Sequence, residues 1–128
     1  MHAKIYTHLW YATDADRAAS FYASIFPDSR VERVWTLPTE FNDAMSLVVE
    51  CADQAELDRY WDALLEGGGQ PQACGWLIDR YGVRWQIVPA GWETLMMDTD
   101  QAKAKRVADA MLKMVKLDIA ALEQAHQG

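Results

Sequence analysis

The residues best suited to chemistry are two polar side chains, Arg84 and Gln86, within an apolar run of the chain. Residues 83–88 alternate with a period of two, which predicts a strand that turns Arg84 and Gln86 to one face and Trp85 to the other. Burying a polar side chain without a partner is costly, so such groups line a pocket, reach solvent or find partners. A pocket wall and a solvated strand face both fit this pattern.

Aromatic residues extend this pair into a candidate site for a small molecule, because a flat aromatic slot with a few polar groups is typical of such sites. The candidate binding residues are Trp10, Trp76, Tyr81, Arg84 and Gln86. The alternative is that the tryptophans lie in the core or in a subunit interface. Both interpretations stay open for Trp76, whereas the core is favoured for Trp61 and Trp85.

Nucleophilic and acid–base chemistry have little support in the sequence. No serine stands in a Gly-x-Ser-x-Gly turn, and neither Cys51 nor Cys74 has a histidine near it in sequence. Asp43, beside Asn42 and Ser46, is a candidate general base, although an exposed turn carboxylate is the simpler interpretation. The catalytic residues are unknown from the sequence.

Composition excludes several classes of function. The 128 residues suit one domain, and 51% of them are hydrophobic, enough for a core. The net charge of −7 argues against nucleic acid as a partner, because phosphate binding needs clustered Lys and Arg. We expect both cysteines to be buried thiols in a reducing compartment. We expect no membrane partner and a cytoplasmic location, since neither a signal segment nor a membrane-length apolar run is visible.

The apolar patterns predict alternating strands and helices. Strands are predicted at 5–11, 30–37 and 44–51, and in a hairpin of 74–78 and 83–88 that turns at 79–82. Helices are predicted after Thr13, after Asp53, at 92–96, after Thr99 or Asp100, and from Asp118 to about residue 126. The strand–helix–strand segment 5–37 is followed by a similar one at 44–88, which indicates a duplicated βα unit.

Local signals mark the ends and faces of these helices. Asp53 and Glu56 form a predicted capping box, and the glycines at 67–69 follow a helix, so they stop it rather than cradle a phosphate. One apolar stripe is formed by Leu57, Tyr60, Trp61 and Leu64. A second is predicted in the penultimate helix, from Ala104, Val107, Met111, Met114 and Val115. These last helices need a surface to cover, either this chain's own sheet or a second subunit.

Several runs of the sequence resemble those of one protein family. They are 9–11 (Leu-Trp-Tyr), 18–27 (Ala-Ala-Ser-Phe-Tyr-Ala-Ser-Ile-Phe-Pro), 41–44 (Phe-Asn-Asp-Ala), 58–64 (Asp-Arg-Tyr-Trp-Asp-Ala-Leu), 74–77 (Cys-Gly-Trp-Leu), 79–89 (Asp-Arg-Tyr-Gly-Val-Arg-Trp-Gln-Ile-Val-Pro) and 116–122 (Lys-Leu-Asp-Ile-Ala-Ala-Leu). Together they resemble the PhnB-like, "3-demethylubiquinone-9 3-methyltransferase" branch of the glyoxalase/bleomycin-resistance (vicinal oxygen chelate) superfamily. The resemblance covers nearly the whole chain.

The resemblance implies an α+β fold of paired βαβββ modules whose sheets curl around a cavity, usually within a homodimer. Between Trp35 and Phe41 stands only Thr-Leu-Pro-Thr-Glu, where full-length relatives carry two strands, so we expect the first module to lack about two strands. The expected organisation is one glyoxalase-like domain over 1–128. It comprises a first half-module at 1–41, a second module at 42–91 and a C-terminal helical extension at 92–128.

The resemblance also bears on metal binding. Metal-dependent members use a His near the start of the first strand and a Glu in the last strand. Those positions fall on Thr7, with His8 beside it, and on Gln86. A neutral amide is a weaker ligand than a carboxylate, and a one-residue step along a strand reverses the face. We therefore expect no metal site.

The methyltransferase label of the family has no counterpart in the motifs. A nucleotide-like cofactor is usually bound by a glycine-rich turn between a strand and a helix, which is missing here, so no cofactor is expected. We expect a metal-independent small-molecule-binding protein, with catalysis unproven. The alternatives are a metal-dependent lyase, isomerase or dioxygenase of the same superfamily, and a structural dimerisation domain with a degenerate pocket.

A homodimer is expected on physical grounds as well. A module without two strands leaves unpaired backbone groups along a sheet edge, and it leaves apolar faces around Val34 and Leu47 without neighbours. A second copy of the chain can cover both, with the apolar stripe of the penultimate helix packing across the join.

Overall fold

The structure is a computed structural model that describes residues 9, 11, 13–31 and 41–128. The chain divides into two compact units, Met1–Phe41 and Asn42–Gly128. The described residues form a mixed α+β fold with five helices and one four-stranded sheet, which confirms the predicted class. Most of the predicted strand at 5–11, the body of the one at 30–37, and residues 36–40, where two strands are expected to be missing, lie outside the described residues.

The first unit contains the predicted helix α1 (Ala15–Ile25), which begins after Asp14. Its buried side is lined by Ala18, so small residues face inward. The hydroxyl of Tyr11 donates a hydrogen bond to that of Tyr22 over 3.1 Å. The helix ends at Ile25, and Phe26 is extended, because Pro27 disfavours the α conformation in the residue that precedes it.

The second unit has the βαβββ order that the resemblance implies. Its elements are β1 (Leu47–Cys51), α2 (Gln54–Leu65), β2 (Gln70–Pro71), β3 (Trp76–Ile78) and β4 (Arg84–Pro89). The strand order is β1-β4-β3-β2, with β1 parallel to β4 and the other pairs antiparallel. A parallel pair needs a long crossover, which α2 and the hairpin supply. The predicted strand at 44–51 is therefore correct, although pairing begins only at Leu47.

The helix α2 covers one face of this sheet. The predicted stripe is buried in full, as are the tryptophans favoured for the core: Leu57, Tyr60, Trp61, Leu64 and Trp85. Asp53 caps the helix by accepting from the amide of Glu56 over 2.8 Å. The Glu56 carboxylate accepts from the amide of Ala52 over 2.6 Å, one residue before the partner of a standard capping box. Gly67 and Gly68 follow the helix with φ of 81° and 114°, which confirms the glycine stop.

The predicted hairpin joins β3 to β4. Asp79 and Val83 close a loop of three residues, in which the Gly82 amide donates to the Asp79 carbonyl over 3.0 Å. Gly82 has φ of 86°, the left-handed conformation that a three-residue hairpin loop requires.

The C-terminal residues form the helices α3 (Trp92–Met96), α4 (Gln101–Met111) and α5 (Ile119–Gln127). Asp118 caps α5 with its carboxylate, as predicted, and of the two predicted alternatives Thr99 and Asp100 it is Asp100 that caps α4. The prediction that Met114 and Val115 continue the α4 stripe is wrong. The helix ends at Met111, and the carbonyls of Met114 and Val115 instead accept hydrogen bonds from the amides at 74 and 75, over 2.9 and 2.8 Å.

Gln54 ties the segment between α4 and α5 to the first turn of α2. Its Nε2 donates to the Leu117 carbonyl over 3.1 Å, and its Oε1 accepts from the Ile119 amide over 2.9 Å. Asp58 adds to this contact, because a hydrogen bond from Gln54 and then one from Lys116 hold the pKa of the Asp58 carboxyl below its usual value. This contribution to stability is present above the unfolded-state pKa and is lost as the pH falls through the lowered value.

Candidate functional site

The sheet face that points away from α2 gathers the polar strand residues. Register places Trp76 opposite Gln86, and Gln86 opposite Val48 of β1. Arg84 lies on the same face, opposite Ile78. We call this surface, made by Val48, Trp76, Ile78, Arg84 and Gln86, the Gln86 face. Alternate residues Leu77, Trp85 and Ile87 are buried on the side of α2, so the predicted period of two is confirmed from Arg84 to Ile87. Val88, which is in phase with Gln86, is buried as well, so the alternation of burial ends there.

Gln86 is held by a neighbouring side chain. Its Nε2 donates to Oγ of Ser46 over 2.8 Å, which fixes the plane of the amide. In the described part of the chain no donor reaches the amide oxygen, and the residue is half-buried. Gln86 therefore brings an acceptor oxygen to a face that also carries Trp76, and such a combination of a polar group and an aromatic ring is typical of small-molecule sites.

Arg84 donates hydrogen bonds to a backbone carbonyl and to a carboxylate among the described residues. Its Nη1 donates to the Gly82 carbonyl over 2.7 Å, and its Nε donates to Oδ1 of Asp43 over 2.7 Å. The side chain of Arg84 is 19% exposed, whereas that of Asp43 is 83% exposed. Asp43 is thus an exposed turn carboxylate with a cationic partner, in line with the simpler of the two interpretations.

The structure brings three of the five candidate residues together. Trp76, Arg84 and Gln86 share one face, and Tyr81 lies in the hairpin loop, with the Arg80 guanidinium 5.6 Å from its ring centre. Trp10 lies outside the described residues. The sequence missed the contacts of Ser46 and Asp43 with β4, because the parallel pairing of β1 with β4 that creates them leaves no local signal.

The described residues contain no group of three or more His, Cys, Asp or Glu side chains that could hold a metal ion. Thr7 and His8 lie outside them. The one histidine within the described ranges, His126, contacts Oδ2 of Asp98 through Nε2 over 2.7 Å among the C-terminal helices. On the Gln86 face, the strand position compared above with a metal-binding Glu holds the amide of Gln86, and the nitrogen of this amide donates a hydrogen bond to Ser46.

The two cysteines are free, and they differ in their surroundings. Cys51 is buried, and desolvation, followed by the charge of Glu56, raises its pKa to about 11. It therefore stays a thiol near neutral pH and is a poor nucleophile. Cys74 is half-buried at the start of the hairpin, with φ of 59°, so the prediction of a buried thiol is correct for Cys51 and wrong for Cys74. Within the described ranges, no helix has the length and apolar character needed to cross a membrane.

Comparison with known proteins gives one family. The family model described as 3-demethylubiquinone-9 3-methyltransferase matches residues 3–41 and 36–88. A solved structure, a putative 3-demethylubiquinone-9 3-methyltransferase, PhnB protein, from Bacillus cereus, is 26% identical with a TM-score of 0.53. The match covers 68% of this chain and 98% of that one. No curated protein matches the chain. The chain therefore belongs to the 3-demethylubiquinone-9 3-methyltransferase family, in its PhnB-like branch.

Proposed function

We propose that the chain binds a small organic molecule on the Gln86 face without a metal ion. The observation that carries the proposal is the direct pairing of Trp76 with Gln86, beside Arg84 on the same face. An aromatic surface with a few fixed polar groups is typical of small-molecule sites. Catalysis is not part of the proposal, because no nucleophile or acid–base pair is found on this face among the described residues.

A ligand panel tests this proposal. We expect at least one compound to raise the Tm of the wild-type protein, and we expect Gln86→Ala to weaken its affinity about tenfold, the usual effect of one lost hydrogen bond. Trp76→Ala should weaken it as well. Gln124→Ala, an exposed glutamine on α5, is the matched control and should bind as the wild type does. Equal affinity in all four proteins would exclude the Gln86 face as the site.

S-adenosylmethionine belongs in that panel as a compound expected not to bind. The strand β1 enters α2 through Ala52 and Asp53, with no glycine that would let the backbone approach a nucleotide-like cofactor. Binding of S-adenosylmethionine at micromolar concentration, measured by calorimetry, would overturn this expectation and would favour methyl transfer as an activity.

The metal-free character is tested separately. We expect elemental analysis of untagged protein to find no divalent ion in stoichiometric amount, because the strand position that would supply a carboxylate holds Gln86. One ion per chain that is lost in Gln86→Ala or His8→Ala would instead favour the metal-dependent alternative.

We also propose that the chain forms an obligate homodimer. The strand β1 is an outer strand of the described sheet, and outer strands are usually paired or covered. Exposed apolar side chains are present on β1 and after α4, at Val48, Leu112 and Val115. Val107, which was expected to pack across the join, is 1% exposed and lies within this chain's own core, so that part of the prediction is wrong.

Light scattering tests the dimer. At low micromolar concentration we expect twice the chain mass of 14.5 kDa. A folded monomer at that concentration would leave only the binding proposal, and a dimer that binds nothing in the panel would favour the structural dimerisation domain.

A further inference from the structure

Arg84 is oriented before any ligand arrives. The Gly82 carbonyl holds Nη1 over 2.7 Å, and Gly82 belongs to the hairpin loop closed by Asp79 and Val83. The guanidinium is therefore placed by the backbone of its own hairpin. A side chain held in this way loses little conformational entropy when it binds an anion.

The carboxylate that meets Arg84 is held much less firmly. Asp43 precedes β1 in a turn where the Ala44 amide donates to Oδ1 of Asn42 over 2.8 Å. Asp43 meets Arg84 through one carboxylate oxygen, Oδ1, at 2.7 Å from Nε, and the Asp43 side chain is 83% exposed. Exposed ion pairs contribute little, so this carboxylate can leave the guanidinium at small cost.

We infer that Asp43 occupies the position of a ligand's carboxylate, and that the ligand of the Gln86 face is an aromatic or otherwise flat carboxylic acid. The inference rests on the proposed function. The guanidinium already accommodates a carboxylate oxygen at hydrogen-bond distance, and the Trp76 ring and the Gln86 amide lie on the same face for the rest of the molecule. Guanidinium is also the side-chain group that best matches the planar geometry of a carboxylate.

The charge of the chain makes the role of Arg84 specific. With a net charge of −7, the chain as a whole repels anions, so an acid is retained only where a local cation meets it. The preference for acids should therefore depend on this one guanidinium, and it should weaken as salt is added.

The test compares each acid with its amide: benzoate with benzamide, and indole-3-acetate with indole-3-acetamide. The readout is the NMR signal of the Arg84 Nε–H, assigned by its loss in Arg84→Gln. We expect the acids to shift this signal at lower concentration than the amides. Asp43→Asn removes the competing carboxylate, and it should lower the half-saturation concentration of the acids by about twofold to fivefold.

Asp109→Asn is the matched control, because Asp109 is also an exposed partner of a cation, with its Oδ2 at 2.6 Å from Nζ of Lys105. It should leave acid binding unchanged. In Arg84→Gln, observed by the backbone amides of β4, acids and amides should bind equally.

The outcomes separate this inference from the proposed function. Equal binding of acids and amides, abolished by Gln86→Ala, would overturn the carboxylate inference and keep the Gln86 face as a binding site. Acid binding that Asp43→Asn does not strengthen would overturn the claim that Asp43 stands in for the ligand. No binding by any compound of the set or of the larger panel would end both proposals.

Discussion

Replacing Asp79 with alanine is expected to lower the free energy of unfolding by about 3–5 kcal/mol, through buried donors left without an acceptor. Asp79 is 3% exposed. Its Oδ1 accepts from the amides of Tyr81 and Val83 over 2.8 and 3.1 Å, and its Oδ2 accepts from Nε1 of Trp85 over 2.8 Å. Alanine provides no acceptor, and buried Trp85 cannot turn its indole N–H to water.

Chemical denaturation measures this effect, and a second substitution identifies its source. In a Trp85→Phe background one donor is already gone, so Asp79→Ala should cost about 1–3 kcal/mol less than in the wild type. Asp62→Ala, at an exposed site on α2, is the control and should change stability by no more than about 0.5 kcal/mol. A loss below about 1 kcal/mol for Asp79→Ala would show that water replaces the carboxylate.

The sequence predicts the hairpin but not the hydrogen bonds that Asp79 accepts within it. The alternation around Trp85 and the position of Gly82 are local signals, and they gave the strand, its buried face and the turn. That Asp79 is buried and accepts from an indole six residues later depends on how tightly the loop closes. A polar residue in a turn is normally solvated, so its type alone predicted the turn and not the buried network.

The candidate site was predicted to a similar extent. The period of two placed Arg84 and Gln86 on one face, and the structure adds Trp76 opposite Gln86 through antiparallel register. The hydrogen-bond partners of these two side chains come from the segment before β1. Ser46 lies 40 residues before Gln86, and Asp43 lies 41 residues before Arg84. Pairing over such a distance is a property of the closed sheet, which sequence periodicity does not report.

In the C-terminal helices the sequence predicts where a helix begins better than where it ends. Helix caps are local signals, and they predict Asp118 alone for α5 and Thr99 or Asp100 for α4. The end of α4 is not predicted by the sequence, because apolar residues at a spacing of three and four continue through Met114, whereas the helical backbone ends at Met111. The backbone leaves the helix where its carbonyls find partners at the start of the hairpin. The family match ends at residue 88, so Met114 and Val115 lie outside the part of the chain that the family model describes, whereas their partners at 74 and 75 lie within it.

Replacing Gly75 with alanine is expected to lower the free energy of unfolding by about 2–5 kcal/mol, of which about 1–2 kcal/mol is the cost of a left-handed backbone. Gly75 has φ of 81°, and an added Cβ would lie 2.9 Å from Cγ of Leu117 and 3.0 Å from the Ile87 carbonyl oxygen. Leu117 is 1% exposed and cannot move aside freely. The Gly75 backbone is also fixed, by hydrogen bonds of 2.8 Å to Val115 and to Ile87.

Gly82→Ala is the matched control, because Gly82 has nearly the same φ, 86°, and its added Cβ meets no atom within 4 Å in the described part of the chain, the two adjacent residues apart. It should lose only the backbone contribution, about 1–2 kcal/mol. The difference between the two variants in chemical denaturation then measures the contact between the hairpin and Leu117. In Gly75→Ala with Leu117→Ala the overlap with the side chain is removed, so the two losses should be less than additive. Equal losses for Gly75→Ala and Gly82→Ala would mean that Leu117 and the Ile87 carbonyl yield without cost, and that the C-terminal segment is only loosely held against the sheet.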